Sequence, residues 1–203
     1  MIEIDKTRLA EPADFDMQCR QKGLRWLQAH PKASRKPGTR PRDYWSQIKP
    51  QLADAYRNLC AYSAMFEPVG TVDHFLPVEL NEFLAYEWPN YRFSAAWINS
   101  SKNKAVGILD PLDVGAGWFE VLLPSLQLVV VQERIPEPWR GLAEQTLNRL
   151  HLRDDERVLR QRRAWYQMYQ AGKLTLEGLR DVAPLIAAAV ERLEAIEQEL
   201  AHQ

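Results

Sequence analysis

The sequence predicts an α+β fold, in which helices near both ends of the chain flank a central segment of short strands. Apolar residues recur at three- and four-residue steps before residue 60 and after residue 131, as is typical of amphipathic helices. Between them, the segments TVDHF and GWFEVLLPSLQLVVVQE are rich in β-branched and aromatic residues, which indicates strands. The Pro-Ser pair inside the second segment predicts the turn of a β-hairpin.

Three consecutive regions are predicted within this fold. Residues 1–59 form N-terminal helices, residues 60–131 form a core with the β-hairpin, and residues 132–203 form a C-terminal helical region. We expect the three regions to fold as one compact unit, because a chain of 203 residues suits a single domain. Pro50 lies inside the second predicted helix, where it indicates either a kink or a later helix start.

The last predicted helix starts near Thr175 and carries an apolar face. Leu179, Ile186, Val190 and Ile196 lie on this face at helical spacing. The sequence leaves two interpretations open: the face packs on the rest of the domain, or it docks on a partner.

Composition excludes several classes of protein. The formal net charge is -1, so bulk charge does not imply tight nonspecific binding to nucleic acid. The two cysteines, Cys19 and Cys60, are too few for a disulfide framework. The N-terminal segment lacks the apolar run of a signal peptide, and no apolar run approaches the roughly 20 residues that span a bilayer. A cytoplasmic protein without a membrane segment is therefore expected.

Basic side chains concentrate in the segment PKASRKPGTRPR, residues 31–42. It contains five basic residues, three prolines, one glycine and no acid, a composition that cannot pack a core. The segment is interpreted either as a solvated linker or as an arm whose Arg35, Lys36 and Arg40 contact phosphates.

The residues with the strongest chemical pattern lie in GTVDHFLPVELNEFLAYEWPNYRFSAAWINSSKNK, residues 70–104. Asp73 and His74 are adjacent on the predicted strand, so their side chains point to opposite faces. A histidine has an ordinary pKa near 6.5 and suits a general base. Asn99 lies in a helix predicted over residues 90–105, where its carbonyl can complete a Mg²⁺ site with Asp73, because Mg²⁺ prefers oxygen ligands.

Three further polar residues flank this set. Asn90 lies at the start of the predicted helix, a position that also favours asparagine as a cap. Lys102 and Lys104 follow Asn99 closely enough to meet a phosphate, although a solvated helix end is the simpler interpretation.

These residues resemble the motif of the HNH endonucleases, members of the ββα-metal nuclease group. The family pattern is Cys-x-x-Cys, an Asp-His pair, an Asn, a second Cys-x-x-Cys followed at once by His or Asn, and a Lys three residues on. In this chain the pattern runs through CAYS, VDHF, WPN and AAWINSSK. The resemblance implies a ββα-metal core and a divalent-metal-dependent endonuclease, with DNA as the expected substrate and RNA as the alternative.

By this resemblance, His74 is the general base and Asn90 orients it. Asp73 and Asn99 hold the cation, expected to be Mg²⁺, Mn²⁺ or another divalent ion. The expected nucleic-acid contacts are basic residues in and around the motif: Lys102, Lys104, Arg92, Arg35, Lys36 and Arg40.

The cysteine pairs of the family are incomplete here. Cys60 occupies one of the four positions, whereas Ser63, Ala95 and Ile98 stand at the other three. A structural zinc site needs four ligands, so we expect no structural zinc and apolar packing in its place.

The segment ILDPLDVGAGWFEV and the helical C-terminal region resemble, more loosely, HNH proteins of bacterial anti-phage defence systems, including Septu-type and retron-linked ones. That resemblance implies a partner ATPase and a role in antiviral defence. Two alternatives remain open. The chain is either an inactive HNH-fold subunit that serves as a scaffold in a larger complex, or a toxin-like nuclease under a partner's control. The near-neutral charge favours a partner that supplies targeting.

Overall fold

The computed structural model describes residues 1–201 and has an α+β fold, which confirms the predicted fold class. His202 and Gln203, the last two residues of the predicted C-terminal region, lie outside the described residues. The chain divides into two compact units. The site unit comprises Asp5–Asn58 and Pro68–Val106, and the helical unit comprises Met1–Ile4, Leu59–Glu67 and the chain from Gly107 onward. The units therefore interleave along the sequence, whereas the three predicted regions follow one another.

Two helices precede the strands of the site unit. Helix α1, Gln21–Ala29, continues from a π-helical turn at Asp16–Arg20. Helix α2, Lys49–Ala55, follows a 3-10 turn at Trp45–Ile48 and has Pro50 in its first turn. Proline is tolerated there because the first backbone N–H groups of a helix have no intrahelical acceptor. Of the two interpretations of Pro50, the later helix start is confirmed.

A hairpin and a short helix form the centre of the site unit. Strand β1, Thr71–His74, pairs antiparallel with strand β2, Tyr91–Ser94, and Asp73 lies opposite Arg92. Helix α3, Ala96–Lys102, follows β2 after one extended residue. The order strand, strand, helix matches the core that the resemblance implies.

The sequence prediction of one helix over residues 90–105 is wrong in its first part. Asn90 ends a 3-10 turn at Trp88–Asn90, and Tyr91–Ser94 is strand. Aromatic residues favour a pleated surface, and β1 would leave its backbone groups unpaired without this partner. The segment before it, left open between a short helix and a loop, forms a 3-10 turn at Glu82–Tyr86.

The helical unit contains the second hairpin. Strand β3, Phe119–Leu122, pairs antiparallel with strand β4, Gln127–Val130, and Leu122 lies opposite Gln127. The predicted hairpin with its turn at Pro124 and Ser125 is confirmed.

Four helices complete the described part of the helical unit. Their ranges are α4, Glu137–Arg149; α5, Glu156–Gln170; α6, Leu176–Val182; and α7, Pro184–Ala201. The Thr175 side chain caps α6 by accepting a hydrogen bond from Gly178 N at 3.0 Å. The predicted last helix is split before Pro184, because proline has no N–H to continue the hydrogen bonding.

The predicted apolar face continues across this break but is covered over only part of its length. Leu179, Ile186 and Val190 are buried, whereas Leu193 and Ile196 are exposed. In residues 1–201 no helix combines the length and the apolar character needed to cross a membrane.

The four positions of the missing cysteine pairs are all buried. Cys60 and Ser63 lie in a tight turn of the helical unit, where Cys60 N donates to Met65 O at 2.9 Å. Ala95 and Ile98 lie at the start of α3 in the site unit. Neither of these two side chains offers a metal-ligating atom, and the expectation of a zinc-free core stays a prediction.

Candidate functional site

The hydrogen bonding of the first hairpin fixes which groups of β1 face α3. Phe75 N donates to Asn90 O at 2.8 Å, which extends the β1–β2 ladder by one pair. Alternate residues of an antiparallel strand bond the partner, so the backbone carbonyls of Val72 and His74 point away from β2. The free edge of β1 therefore carries two carbonyls that need donors.

Helix α3 supplies those donors through two side chains one turn apart. Asn99 Nδ2 donates to Thr71 Oγ1 at 3.0 Å and to Val72 O at 3.4 Å. Lys102 Nζ donates to His74 O at 2.7 Å and to Asp73 Oδ1 at 3.0 Å. Residues at i and i+3 share a helix face, so one face of α3 holds the whole edge of β1.

The His74 ring has a fixed orientation and tautomer. Its Nε2 lies 3.1 Å from Ala85 O. A carbonyl oxygen only accepts, so Nε2 carries the hydrogen and Nδ1 keeps the lone pair. The edges of Trp45 and Tyr91 hold the ring laterally, with ring centroids 4.7 Å and 5.3 Å away. The ring is therefore presented as a neutral imidazole with a free basic nitrogen.

The Ala85 carbonyl is itself held in place. Tyr91 Oη donates to it at 2.7 Å, so both lone pairs of this oxygen are used. Because the Tyr91 hydrogen points at Ala85, the thiol of Cys19, 3.3 Å from Tyr91 Oη, is the donor of that contact. A buried chain of hydrogen bonds thus leads from Cys19, in the π-helical turn before α1, through Tyr91 and Ala85 to the ring of His74.

The environment lowers the pKa of His74 below its ordinary value. Burial is the largest cause, since it disfavours the charged imidazolium, and the positive charges of Arg40 and Lys102 act in the same direction. The bond to Ala85 and the charge of Asp73 oppose the shift. His74 therefore stays neutral to lower pH than a free imidazole.

Asn90 secures the loop that carries the Ala85 carbonyl. Its Oδ1 accepts from Leu76 N at 2.8 Å, and its Nδ2 donates to Leu76 O at 3.0 Å and Leu84 O at 3.1 Å. The resemblance implies that Asn90 orients His74. In the structure the atom that bonds the His74 ring is Ala85 O, whereas Asn90 bonds Leu84, the residue before Ala85.

One cavity of about 920 Å³ in the site unit brings the central residues together. Asp73, His74 and Asn99 line it, as do Trp45 and Thr71. Three basic residues also line it: Lys32 and Arg40 from the basic segment, and Lys104 from the turn that follows α3. Asn90 and Lys102 are not part of its wall.

Three of the six residues that are expected to contact nucleic acid have side chains that point into the protein. Lys102 is 0% exposed, and Arg92, at 3%, donates to Pro89 O and Tyr91 O at 2.8 Å each. Arg35 is paired with Glu82 and lies over the ring of Trp26. Their long side chains bond internal carbonyls and the carboxylates of Asp73 and Glu82, so these three do not meet a ligand at the surface.

The other three expected contacts are exposed. Lys36 and Arg40 lie on the basic segment, and Lys104, with 62% of its side chain exposed, is 3.1 Å from Glu79. Arg40 and Lys104 line the cavity and Lys36 does not. Neither of the earlier interpretations therefore covers the whole basic segment, in which the Arg35 side chain is turned inward and the other four basic residues are exposed.

The residues of the cavity fit a hydrated hard cation. Lys102 bonds Asp73 Oδ1, and Asn99 uses its Nδ2 to bond Thr71, so the amide oxygen Oδ1 of Asn99 can meet a cation. Mg²⁺ usually keeps several waters and takes only one or two protein carboxylates. No group of three or more His, Cys, Asp or Glu side chains within residues 1–201 stands close enough to hold a metal. Asp73 and Asn99 are the ligands that the resemblance implies, and the carboxylates of Glu79 and Glu82 line the same cavity.

Several of these residues were not predicted from the sequence. Ala85 acts through its backbone carbonyl, a group that every residue has, so its role cannot be predicted from its residue type. Thr71 of the hairpin, Trp45 of the 3-10 turn before α2 and Lys32 of the basic segment line the cavity only because folding brings these three segments together.

Comparison of the sequence and the structure with protein-family models, curated proteins and solved structures gave no match.

Proposed function

We propose that the site unit is a divalent-metal-dependent HNH-type endonuclease that hydrolyses phosphodiester bonds, with DNA as the expected substrate. The observation that carries the proposal is the position of His74. Its neutral ring, with the lone pair on Nδ1, lines the same cavity as Asp73 and Asn99. The order of β1, β2 and α3 agrees with the resemblance noted in the sequence.

In this proposal His74 is the general base. Nδ1 takes a proton from water as the water oxygen attacks phosphorus, and the bond between phosphorus and the 3′ oxygen breaks. The leaving oxygen is protonated by solvent, so the products are a 5′-phosphate and a 3′-hydroxyl. The Ala85 carbonyl holds Nε2–H and stabilises the imidazolium that forms, because it accepts a hydrogen bond from the charged ring.

Asp73, through its carboxylate, and Asn99, through its amide oxygen, are the residues that would hold the cation. A bound divalent cation supplies charge stabilisation for the phosphate in the transition state. Arg40, Lys104 and Lys32 line the same cavity, where their charges bind the phosphate backbone. The cytoplasm is the proposed location, and a partner ATPase in anti-phage defence is the proposed context, both from the resemblance alone.

The substrate panel that tests the proposal uses supercoiled plasmid, linear duplex, single-stranded DNA and RNA. Each is incubated with the wild-type protein in Mg²⁺, in Mn²⁺ and in a chelator. We expect cleavage of DNA in the presence of metal and none with the chelator. No cleavage of any of the four substrates would reject the nuclease, and cleavage of RNA alone would reject DNA as the substrate.

The pH dependence of cleavage follows from the lowered pKa of His74. The base form is lost as pH falls through the folded-state pKa, which lies below the ordinary value, and a bound cation moves the pKa in the same direction. We therefore expect a single-turnover rate that stays level between about pH 8 and about pH 6.5 and falls only below that range. A rate that already falls between about pH 7.5 and 6.5 would contradict a buried base.

Substrate affinity is expected to depend on Arg40 more than on Lys36. Both are exposed cations of the basic segment, but only Arg40 lines the cavity. Arg40→Ala is expected to weaken DNA binding about 10-fold and to reduce its salt dependence, since one phosphate contact is lost. Lys36→Ala is the matched control, and fluorescence anisotropy at several salt concentrations compares the two. Equal effects of both variants would assign binding to the segment as a whole.

One observation favours the alternative of a binding module without activity. Asp73 is 2% exposed and already paired with Lys102. If that pair excludes metal, the unit binds nucleic acid without cleaving it. Retained DNA binding together with no bound Mn²⁺ would support this alternative.

A further inference from the structure

An indole ring forms part of the cavity wall directly beside His74. Trp45 is half-buried in the 3-10 turn before α2, and its ring centroid is 4.7 Å from that of His74. The two ring planes are perpendicular, so this contact does not stack the rings. Tyr86, with its centroid 5.9 Å away, is tilted by 42° against the indole. Neither a parallel ring nor a cation of residues 1–201 therefore covers the Trp45 indole.

The indole N–H of Trp45 also has no partner in the described part of the chain. Buried tryptophans usually place this group on an acceptor, as Trp88 does by donating to Leu9 O at 2.8 Å. Among residues 1–201 no group accepts a hydrogen bond from Trp45 Nε1. The ring thus offers the cavity an apolar surface together with one hydrogen-bond donor.

Trp26 shows how another half-buried tryptophan of the site unit is covered. His30 stacks on its ring with centroids 4.7 Å apart and ring planes 19° apart, and the guanidinium of Arg35 lies 5.2 Å from the ring centroid. Trp26 does not line the cavity. Trp45 lacks such cover and does line the cavity, which points to a flat ligand rather than to internal packing.

We propose that Trp45 stacks on an unpaired base next to the phosphate that is hydrolysed at His74, so that the site selects single-stranded or locally unpaired nucleic acid. The proposal rests on the proposed function of the site unit, which makes nucleic acid the ligand. Bases inside a duplex are paired and stacked on their neighbours, so a side chain does not reach their faces. Every unpaired base offers such a face, and the selection is therefore for unpaired strands rather than for a sequence.

The cations of the cavity supply the other part of a single-strand site. Lys32, Arg40 and Lys104 line the same cavity as Trp45. Proteins that bind single strands without sequence preference combine a basic groove along the backbone with aromatic side chains under the bases. The cavity volume of about 920 Å³ is that of a small-molecule site, which suits nucleotides of one strand rather than a double helix.

The test compares Trp45→Leu with Trp26→Leu in binding two single-stranded oligonucleotides of equal length. One carries all its bases, and the other has a tetrahydrofuran abasic site at every position. Fluorescence anisotropy gives both dissociation constants, in a chelator so that no strand is cut. For the wild type and Trp26→Leu we expect the abasic strand to bind about 5- to 150-fold more weakly, the usual contribution of stacking one base. Trp45→Leu is expected to bind both strands equally, and Trp45→Phe, which keeps a ring, to recover part of the difference.

Two results overturn the proposal. One is equal binding of both oligonucleotides by the wild type, and the other is a Trp45→Leu variant that keeps the full difference between them. Because no strand is cut, the outcome is independent of cleavage. A wild type that binds bases through Trp45 and cleaves none of the four substrates rejects the nuclease alone, whereas one that cleaves DNA and binds both oligonucleotides equally rejects the stacking alone.

A measurement on the wild type covers the case in which Trp45→Leu does not fold. The indole Nε1–H signal of Trp45 is followed by NMR while each oligonucleotide is added. We expect the ring current of a stacked base to shift this signal upfield with the complete strand and not with the abasic one. An equal response to both strands, or no shift with either, overturns the proposal.

Discussion

Replacing His74 by alanine is expected to lower the rate of metal-dependent cleavage by about 10²–10⁴-fold, the usual contribution of a general base. Water in the cavity then has no positioned acceptor for its proton, because Nδ1 of His74 is the basic nitrogen beside Asp73 and Asn99. Single-turnover rates at saturating DNA measure the effect on the chemical step.

The matched control is His30→Ala. His30 belongs to the same unit, is exposed, and stacks on Trp26 with ring centroids 4.7 Å apart. We expect its cleavage rate to stay within about threefold of the wild type, as is usual for an exposed position away from the site. The KM for DNA should change little in His74→Ala, because the ring does not bind the phosphate backbone. A loss confined to KM would remove His74 from the chemistry.

Replacing Asp73 by asparagine is expected to lower the free energy of unfolding of the site unit by about 3–5 kcal/mol. The isosteric amide still accepts a hydrogen bond from Lys102, but the buried ammonium loses its counter-charge. The ion pair is 3.0 Å long, with 2% of the Asp73 side chain exposed, so solvent does little to compensate. Urea unfolding followed by circular dichroism measures the loss.

Two further variants serve as controls for the stability measurement on Asp73→Asn. Asp54→Asn changes an exposed carboxylate on α2 and should alter stability by less than about 0.5 kcal/mol. Adding Lys102→Met to Asp73→Asn removes the unpaired ammonium and should recover much of the lost stability. Equal stability of Asp73→Asn and the wild type would mean that the pair is solvated.

Local patterns were enough to predict the types of element on which Asp73, His74 and Asn99 lie. Asp73 and His74 follow from a short β-branched run, and their opposite side-chain faces follow from strand geometry. Asn99 belongs to a predicted helix, and it does lie in α3. The apolar, β-rich composition of β3 and β4, with a proline turn between them, is likewise a local signal.

Long-range pairing decided what the sequence did not reveal. Tyr91–Ser94 forms a strand because β1 is available as its pairing partner. The residue pattern along the chain gives no information about this long-range pairing. The inward side chains of Arg35 and Arg92 depend on Glu82 and on backbone carbonyls brought near only by folding. The role of Ala85 belongs to its backbone.

The division into two interleaved units has the same origin. Leu59–Glu67 belongs to the helical unit although its neighbours on both sides belong to the site unit. Phe66 N donates to Val182 O at 2.8 Å, and Gln161 Nε2 donates to Phe66 O at 3.1 Å. Both partners lie far away in sequence, so composition along the chain gave no boundary there.

One comparison of cleavage rates decides whether His74 is the general base of a nuclease. Wild type, His74→Ala and His30→Ala are incubated with plasmid in Mg²⁺ under single-turnover conditions, after thermal melting has verified that all three are folded. We expect cleavage by the wild type and by His30→Ala, and a loss of at least about 100-fold in His74→Ala. Undiminished cleavage by His74→Ala would contradict it.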